Sequence, residues 1–283
     1  MRAMPFPPFA LHDRTALVTG ASSGIGRALA VALADRGVRL VLTARRVDRL
    51  SALAAEIAAR GHARPEVVPG DLAASGGPDQ VFAAARAAAG GPLDILVNNA
   101  GAGRVGALAG VDLDRLSAMV RLNIDALVRL TRLALPDMMA RRTGAILQVA
   151  STAAFVPLPY SAVYAASKAF VVSFAAAVHA EAKEHGVRVV CLCPGRTATE
   201  FFTAAGYAPL AMRGPGWMSA EAVAAEGLAA LVRGDALHAA GHLNRLFAGL
   251  VPLVPRGALR RGADFVMRRR QSRRPERPGS GVR

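Results

Sequence analysis

Little in this sequence can cross-link the chain or hold a metal. Only two cysteines occur in 283 residues, Cys191 and Cys193, two apart within an apolar run. On a strand they share a face, a geometry that does not suit a disulfide, and two such ligands are too few for a metal site. They read as buried, reduced thiols. His179, His185, His238 and His242 form no ligand cluster in sequence, so no metal is expected. No run approaches the length of a spanning helix. Residues 1–10 lack the apolar core and small-residue cleavage site of a secretory signal, which makes the cytoplasm the expected location.

Lysine is equally scarce, with Lys168 and Lys183 the only two. The formal charge is nevertheless +15, with a pI near 11.4, and arginine carries it. From Arg256 onward ten Arg stand against Asp264 and Glu276, a net +8, which leaves +7 for everything before. An excess spread this way through an Arg- and Ala-rich chain argues against nucleic acid as a partner. The stretch 243–255 is apolar but broken by prolines. With the arginines after it, peripheral contact with an anionic membrane surface is one reading, and a helical extension capping the domain is the preferred one.

What the chain has in abundance is alanine, which dominates the 53% hydrophobic content and the mean hydropathy of +0.31 and favours helix over membrane. Short β-branched or Leu-rich runs alternate with Ala-rich helical stretches. The pattern predicts strands at 15–19, 38–43, 66–69, 93–97, 145–149 and 188–192. Helices are predicted at 24–36, 47–60, 78–89, 112–142 (broken near Asn123), 161–184 and 219–232. Strands bounded by helices describe right-handed βαβ units, and continuous apolar strands describe a sheet covered on both faces. The fold class is therefore α/β, a Rossmann-type doubly wound parallel sheet in a single domain. A seventh strand has no clear place, and 236–242 is a poor candidate.

The strongest local motif is T-G-A-S-S-G-I-G, Thr19 to Gly26, between the first strand and the first helix. Gly20 allows the tight turn, Gly24 lets the backbone approach a pyrophosphate, and Gly26 permits close helix packing. Ser22, Ser23 and Ile25 complete the cradle, at a helix N-terminus whose free N–H groups suit phosphate. After the second strand an acid would pair with the 2′-hydroxyl of NAD. Arg45 and Arg46 stand there instead and suit the 2′-phosphate of NADP, so NADP(H) is preferred over NAD(H). Tyr164 and Lys168, in Y-A-A-S-K, lie one turn apart on one helix face. The ammonium and a positive nicotinamide would lower the phenol's pKa from about 10, making Tyr164 a usable acid or base.

Together these motifs make the chain resemble the short-chain dehydrogenase/reductase family, across about residues 12–235. The resemblance implies further roles. Asp71 and Leu72 would contact the adenine, the N-N-A-G segment (Asn98, Asn99, Ala100 and Gly101) would steady the central sheet and line the cofactor site, and Pro194, Gly195 and Thr197 would run beside the nicotinamide. Asn123, Ser151, Tyr164 and Lys168 would form the catalytic tetrad. In it Ser151 and Tyr164 hold the substrate oxygen, Lys168 also binds the nicotinamide ribose, and the backbone at Asn123 holds a relay water. The domains expected are an N-terminal extension over 1–11, a dinucleotide-binding catalytic domain over 12–255 and an Arg-rich tail over 256–283. The loop 197–218, with Phe201, Phe202, Tyr207, Met212, Trp217 and Met218, would offer an apolar lining to a bulky ketone.

A catalytically inactive dinucleotide sensor or scaffold of the same fold is the alternative, weakened because Tyr164, Lys168, Ser151 and Asn123 are all present. The Asp-Gly-Gly ending usual at the last strand of the family is absent, which puts its usual tetramer contacts in doubt. The Ala-rich helix 161–184 still matches one that commonly forms dimers in the family. Light scattering is expected to give a homodimer or homotetramer, and a monomer would overturn that assignment.

Overall fold

The structure is a computed structural model, and it describes residues 6, 9–206, 216–255, 257–262 and 264. The chain alternates strand and helix: β1 Thr15–Thr19, α1 Gly24–Ala34, β2 Arg39–Thr43, α2 Val47–Ala59, β3 Glu66–Val67, α3 Gly77–Ala89 and β4 Ile95–Asn98. The second half continues with α4 Leu113–Val120, α5 Ala126–Ala140, β5 Gly144–Val149, α6 Ala162–Lys183 and β6 Val187–Cys193. Beyond it lie β7 Arg196–Thr197, α7 Phe201–Ala204, β8 Trp217–Met218, α8 Ala220–Arg233, β9 Leu237–Ala239 and α9 His242–Leu250.

Seven strands form one sheet in the order β3-β2-β1-β4-β5-β6-β9, and every pair in it is parallel. This is the doubly wound sheet expected from the alternation. All residues of β1, β5 and β6 are buried, as helices on both faces require. One face packs Leu29, Leu33 and Leu231 over Val18, Leu147 and Val190. The other packs Val81, Leu130 and Met138 over Leu17, Leu96 and Ile146. Chain order reverses between β1 and β4, so their C-terminal ends splay open a crevice there.

Three expectations need correction. A seventh strand exists: β9 pairs Leu237–Ala239 with Cys191–Cys193. At three residues, Leu-His-Ala, it has no pattern of its own and is defined by the edge of β6. The helix α6 is long and apolar enough, at 22 residues and a mean hydropathy of 1.4, to cross a membrane by length and composition. One side of it nevertheless buries Ser167, Lys168, Val171 and Val178 against the protein. The boundary at residue 12 also falls inside packed structure, because Phe9 and Leu11 belong to the core.

Phe9 has a specific reason to be there. Arg188, on β6, is among the largest fully buried side chains, at 2% exposure. Its guanidinium carbon lies 4.8 Å from the ring centroids of both Phe6 and Phe9. Burial, and then the nearby Arg14, lower its pKa, yet guanidinium stays charged at any pH a protein tolerates. Two aromatic faces substitute for part of the lost hydration. The cysteines behave as expected of a shared strand face, both buried in β6 with sulfurs 3.9 Å apart. Phe9→Ala is expected to destabilise the fold by about 3 kcal/mol in denaturant titration. A loss under about 0.5 kcal/mol would mean that the segment before residue 12 is not part of the cooperative unit.

Candidate active site

The crevice at the β1–β4 switch opens into a cavity of about 1030 Å³. Just before its first wall residue, Gly20, lies Thr19, the last residue of β1, which is 1% exposed. The Thr19 hydroxyl donates to the Val97 carbonyl (3.0 Å) and accepts from the backbone N–H of Asn99 and Ala100 (3.0 Å each). The Asn99 amide in turn donates to the carbonyls of Thr19 (2.9 Å) and Gly20 (3.3 Å). A Cβ on Gly26 would strike the Asn99 amide and the Gly20 carbonyl, so this glycine serves packing beneath the turn. Gly20 and Gly24 have φ of 65° and 56°, a left-handed backbone that glycine adopts without cost. The loop they frame lies on the cavity wall at the N-terminus of α1, where the Ser23 side chain caps no helix N–H.

At the next corner Arg46 donates to the hydroxyls of Ser22 (3.0 Å) and Ser23 (2.8 Å). It also pairs with Glu200 at 3.2 Å, and Arg49 pairs with the same carboxylate at 2.7 Å. Hydrogen bonds from Arg49 and then Arg46 hold the Glu200 carboxyl below its ordinary pKa. Arg45 lines the wall beside them and makes no hydrogen bond or ion pair among the described residues. Asp71 and Leu72 line the same end, and the Asp71 carboxylate accepts from Ala73 N–H at 2.9 Å.

Tyr164, Lys168 and Ser151 line the opposite end, beside Pro194, Gly195 and Thr197. Tyr164 and Lys168 project from the first turns of α6. The Lys168 ammonium donates to the Val149 carbonyl at 2.7 Å, at the end of β5. Full burial lowers its pKa to about 8. The adjacent Cys191 thiol offers no compensating charge, because its hydrogen bond with Cys193 and then burial push its own pKa well up. Ser151 accepts from Ala153 N–H at 3.1 Å and holds the Pro194 carbonyl only at 3.5 Å, so its proton is readily redirected.

Asn123 lies behind this group, in a π-helical turn, Arg121–Asp125, between α4 and α5. Such turns widen the ladder and loosen main-chain groups. The side chain bonds both ways with the backbone of Ala102 (2.9 Å each) and donates to Ser167 (2.9 Å), whose hydroxyl caps the Tyr164 carbonyl at 2.7 Å. Asn123 thereby ties α4–α5 to the turn that carries Tyr164, although its side chain does not line the cavity. A Cβ on Gly101 would lie 3.4 Å from both Asn123 Oδ1 and Lys168 Nζ, so this backbone passes close to both side chains.

Asn98 departs from the sequence assignment. Strand alternation turns it to the other sheet face, where it donates to Thr131 and Gln148 at 3.1 Å. Its neighbours Asn99, Ala100 and Gly101 face the cavity. Thr19, Ser167 and Glu200 are the structurally engaged residues that sequence reasoning passed over. The first two sit inside motifs already quoted, but Glu200 carries no local signal.

Over the mouth, Phe201 sits 5.3 Å from the Tyr164 ring and Phe202 5.1 Å from Trp217. Phe201 and Phe202 line the cavity, whereas Met218 packs on the core. Tyr207 and Met212 lie outside the described residues. Phe247, Val254, Ala258 and Leu259 complete the rim. Residues 257–262 are helical, so the cavity wall continues past the boundary drawn at 255.

Known proteins bear on this geometry. A family model described as short chain dehydrogenase matches residues 14–208. A short chain dehydrogenase of Pseudocercospora fijiensis is 39% identical over 193 residues, 67% of this chain and 62% of its own length. A very-long-chain 3-oxoacyl-CoA reductase of Anas platyrhynchos is 36% identical over 190 residues, 65% of this chain and 60% of its own. The matched region thus spans about three fifths of these two relatives. Among solved structures, a short-chain dehydrogenase from Sphingobium yanoikuyae in complex with NADPH is 28% identical, covering 94% of this chain and 98% of its own, at a TM-score of 0.74. With its doubly wound sheet, glycine turn and Tyr-Lys helix, the chain belongs to the short-chain dehydrogenase family.

Proposed function

We propose that the protein is an NADP(H)-dependent oxidoreductase acting between a carbonyl and an alcohol, as a reductase of an apolar or bulky ketone. The observation that carries this reading is one continuous cavity, with a glycine turn and an arginine corner at one end and Tyr164, Ser151 and Lys168 at the other. The residues fit a dinucleotide. Gly20 and Gly24 leave a bare cradle at the start of α1 for the pyrophosphate, and Arg45 and Arg46 flank the place of a 2′-phosphate. The NADPH carried by the Sphingobium yanoikuyae relative supports the same assignment. When bound, the cofactor supplies or accepts the hydride.

This chain's residues handle the oxygen and the proton. The Tyr164 phenol donates its proton to the carbonyl oxygen in reduction and takes one back in oxidation, with the Ser151 hydroxyl sharing that oxygen. The Lys168 ammonium, anchored on Val149, holds positive charge beside the phenol and favours its ionised form. Ser167 and Asn123 position the first turn of α6, and Phe201, its ring tilted against that of Tyr164, helps exclude water. The apolar rim, and the long-chain 3-oxoacyl substrate in the name of the Anas platyrhynchos relative, support an apolar ketone.

Glu200 opposes the 2′-phosphate, because it already occupies Arg46. Cofactor fluorescence titration is expected to give NADPH binding roughly tenfold or more tighter than NADH, with Arg45→Ala erasing most of the difference. Glu200→Gln is expected to tighten NADPH binding several-fold by freeing Arg46. Tyr164→Phe is expected to keep cofactor binding and lower ketone turnover by about 10²-fold or more. Failure of both cofactors to bind would end the reductase reading.

The buried ammonium also has a pH signature. Its pKa of about 8 lies below the ordinary 10.5, so the folded state gives up this proton before the unfolded state does. Burying the charge therefore costs stability below pH 8, and the cost fades as pH rises from about 8 to 10.5. Lys168→Met is expected to melt above wild type at pH 7, with the gap closing across that window. A gap independent of pH would show that Lys168 does not titrate there.

A further inference from the structure

Helix α9 has two faces with different fates. Inward, Asn244 lies against Gly195 and donates to the Ala240 carbonyl at 2.6 Å. Ala248 packs on the small core beneath α6, and Val251, one turn on, is buried. Arg245 pins the first turn to Glu226 at 2.8 Å, and Glu226 also holds His238 and the Gly241 N–H. Outward, Leu243, Leu246 and Leu250 follow helical spacing at 66%, 59% and 50% exposure, and Leu253 beyond them is 78% exposed. The helix is firmly seated, yet it presents a leucine ridge to water.

Single exposed leucines are ordinary, but a contiguous ridge on a docked helix marks an interaction surface. The basic stretch C-terminal to the helix constrains its occupant. From Arg256 the chain carries ten arginines, no lysine and only two acids, and Arg260 and Arg261 are exposed. A nucleic acid would use the arginines and leave the leucines in water. A second copy of this chain would cover the leucines but bring together two chains of formal charge +15 each. An anionic lipid surface uses both, since the apolar ridge enters the acyl boundary and the exposed Arg260 and Arg261 meet the headgroups.

We propose that α9 docks the protein on anionic lipid bilayers. The ridge continues into the cavity rim through Phe247, Val254 and Leu259, so docking turns the cavity mouth toward the acyl region, where an apolar substrate would be found. The docking itself does not depend on the reductase reading and is tested without turnover.

The test is co-sedimentation of the full chain with vesicles of phosphatidylglycerol and phosphatidylcholine in equal parts, and with phosphatidylcholine alone. The comparison is the combined variant Leu243→Ser, Leu246→Ser, Leu250→Ser, with circular dichroism confirming its fold. Binding to the anionic vesicles, absent from the neutral ones and weakened on the order of tenfold or more in the variant, is the expected result. The proposal is overturned if wild type stays in the supernatant, or if the variant sediments as well as wild type, which would leave the arginines acting alone. It is equally overturned if vesicle binding is absent and duplex DNA is retained instead. The same holds if vesicle binding is absent and the variant turns a dimer into a monomer by light scattering.

Discussion

A single hydroxyl stitches the chain where it changes direction. Thr19 ends β1, and its side chain joins the β4 carbonyl of Val97 to the two amides that leave β4, while Asn99 returns the bond to the glycine turn. Every group is buried or half-buried, so each bond is made away from competing water. The turn after β1 and the turn after β4 therefore move as one piece. A parallel sheet opens a crevice at such a reversal, and this network fixes the two turns that flank it. Both ends of the cavity inherit their position from it.

The other half of the site depends on α6. That helix crosses the sheet with Lys168 reaching back to the end of β5, and the cost of burying an ammonium is visible in its lowered pKa. Fold stability alone would favour an apolar side chain there. In the proposed mechanism that charge sits beside a phenol that loses and regains a proton, which gives the cost a use. The π turn at Asn123 and the hydroxyl of Ser167 hold the helix start from behind. Locally unfavourable choices of this kind gather at functional sites.

Much of this was legible in the primary sequence, for identifiable reasons. Alternation of apolar runs and Ala-rich stretches specifies a parallel sheet because both sheet faces must be covered. Glycines at a strand–helix turn, and a Tyr and Lys four residues apart, place their chemistry through local backbone geometry alone. Asn98 was not legible, because adjacent residues at a strand end point to opposite faces and the motif does not say which faces the ligand. The strand at Leu237–Ala239 was not legible either, since its hydrogen bonds belong to its neighbour β6.

By itself, then, the sequence determined the fold class, the family and the local motifs, because each is set by spacing along the chain. Tertiary structure decided that Glu200 reaches the start of α2 across 154 positions. It also decided that Phe6 and Phe9 shield Arg188 and that four leucines near α9 remain in water. Those outcomes depend on which surfaces meet after folding. Pairing between distant residues is the information that local spacing does not carry.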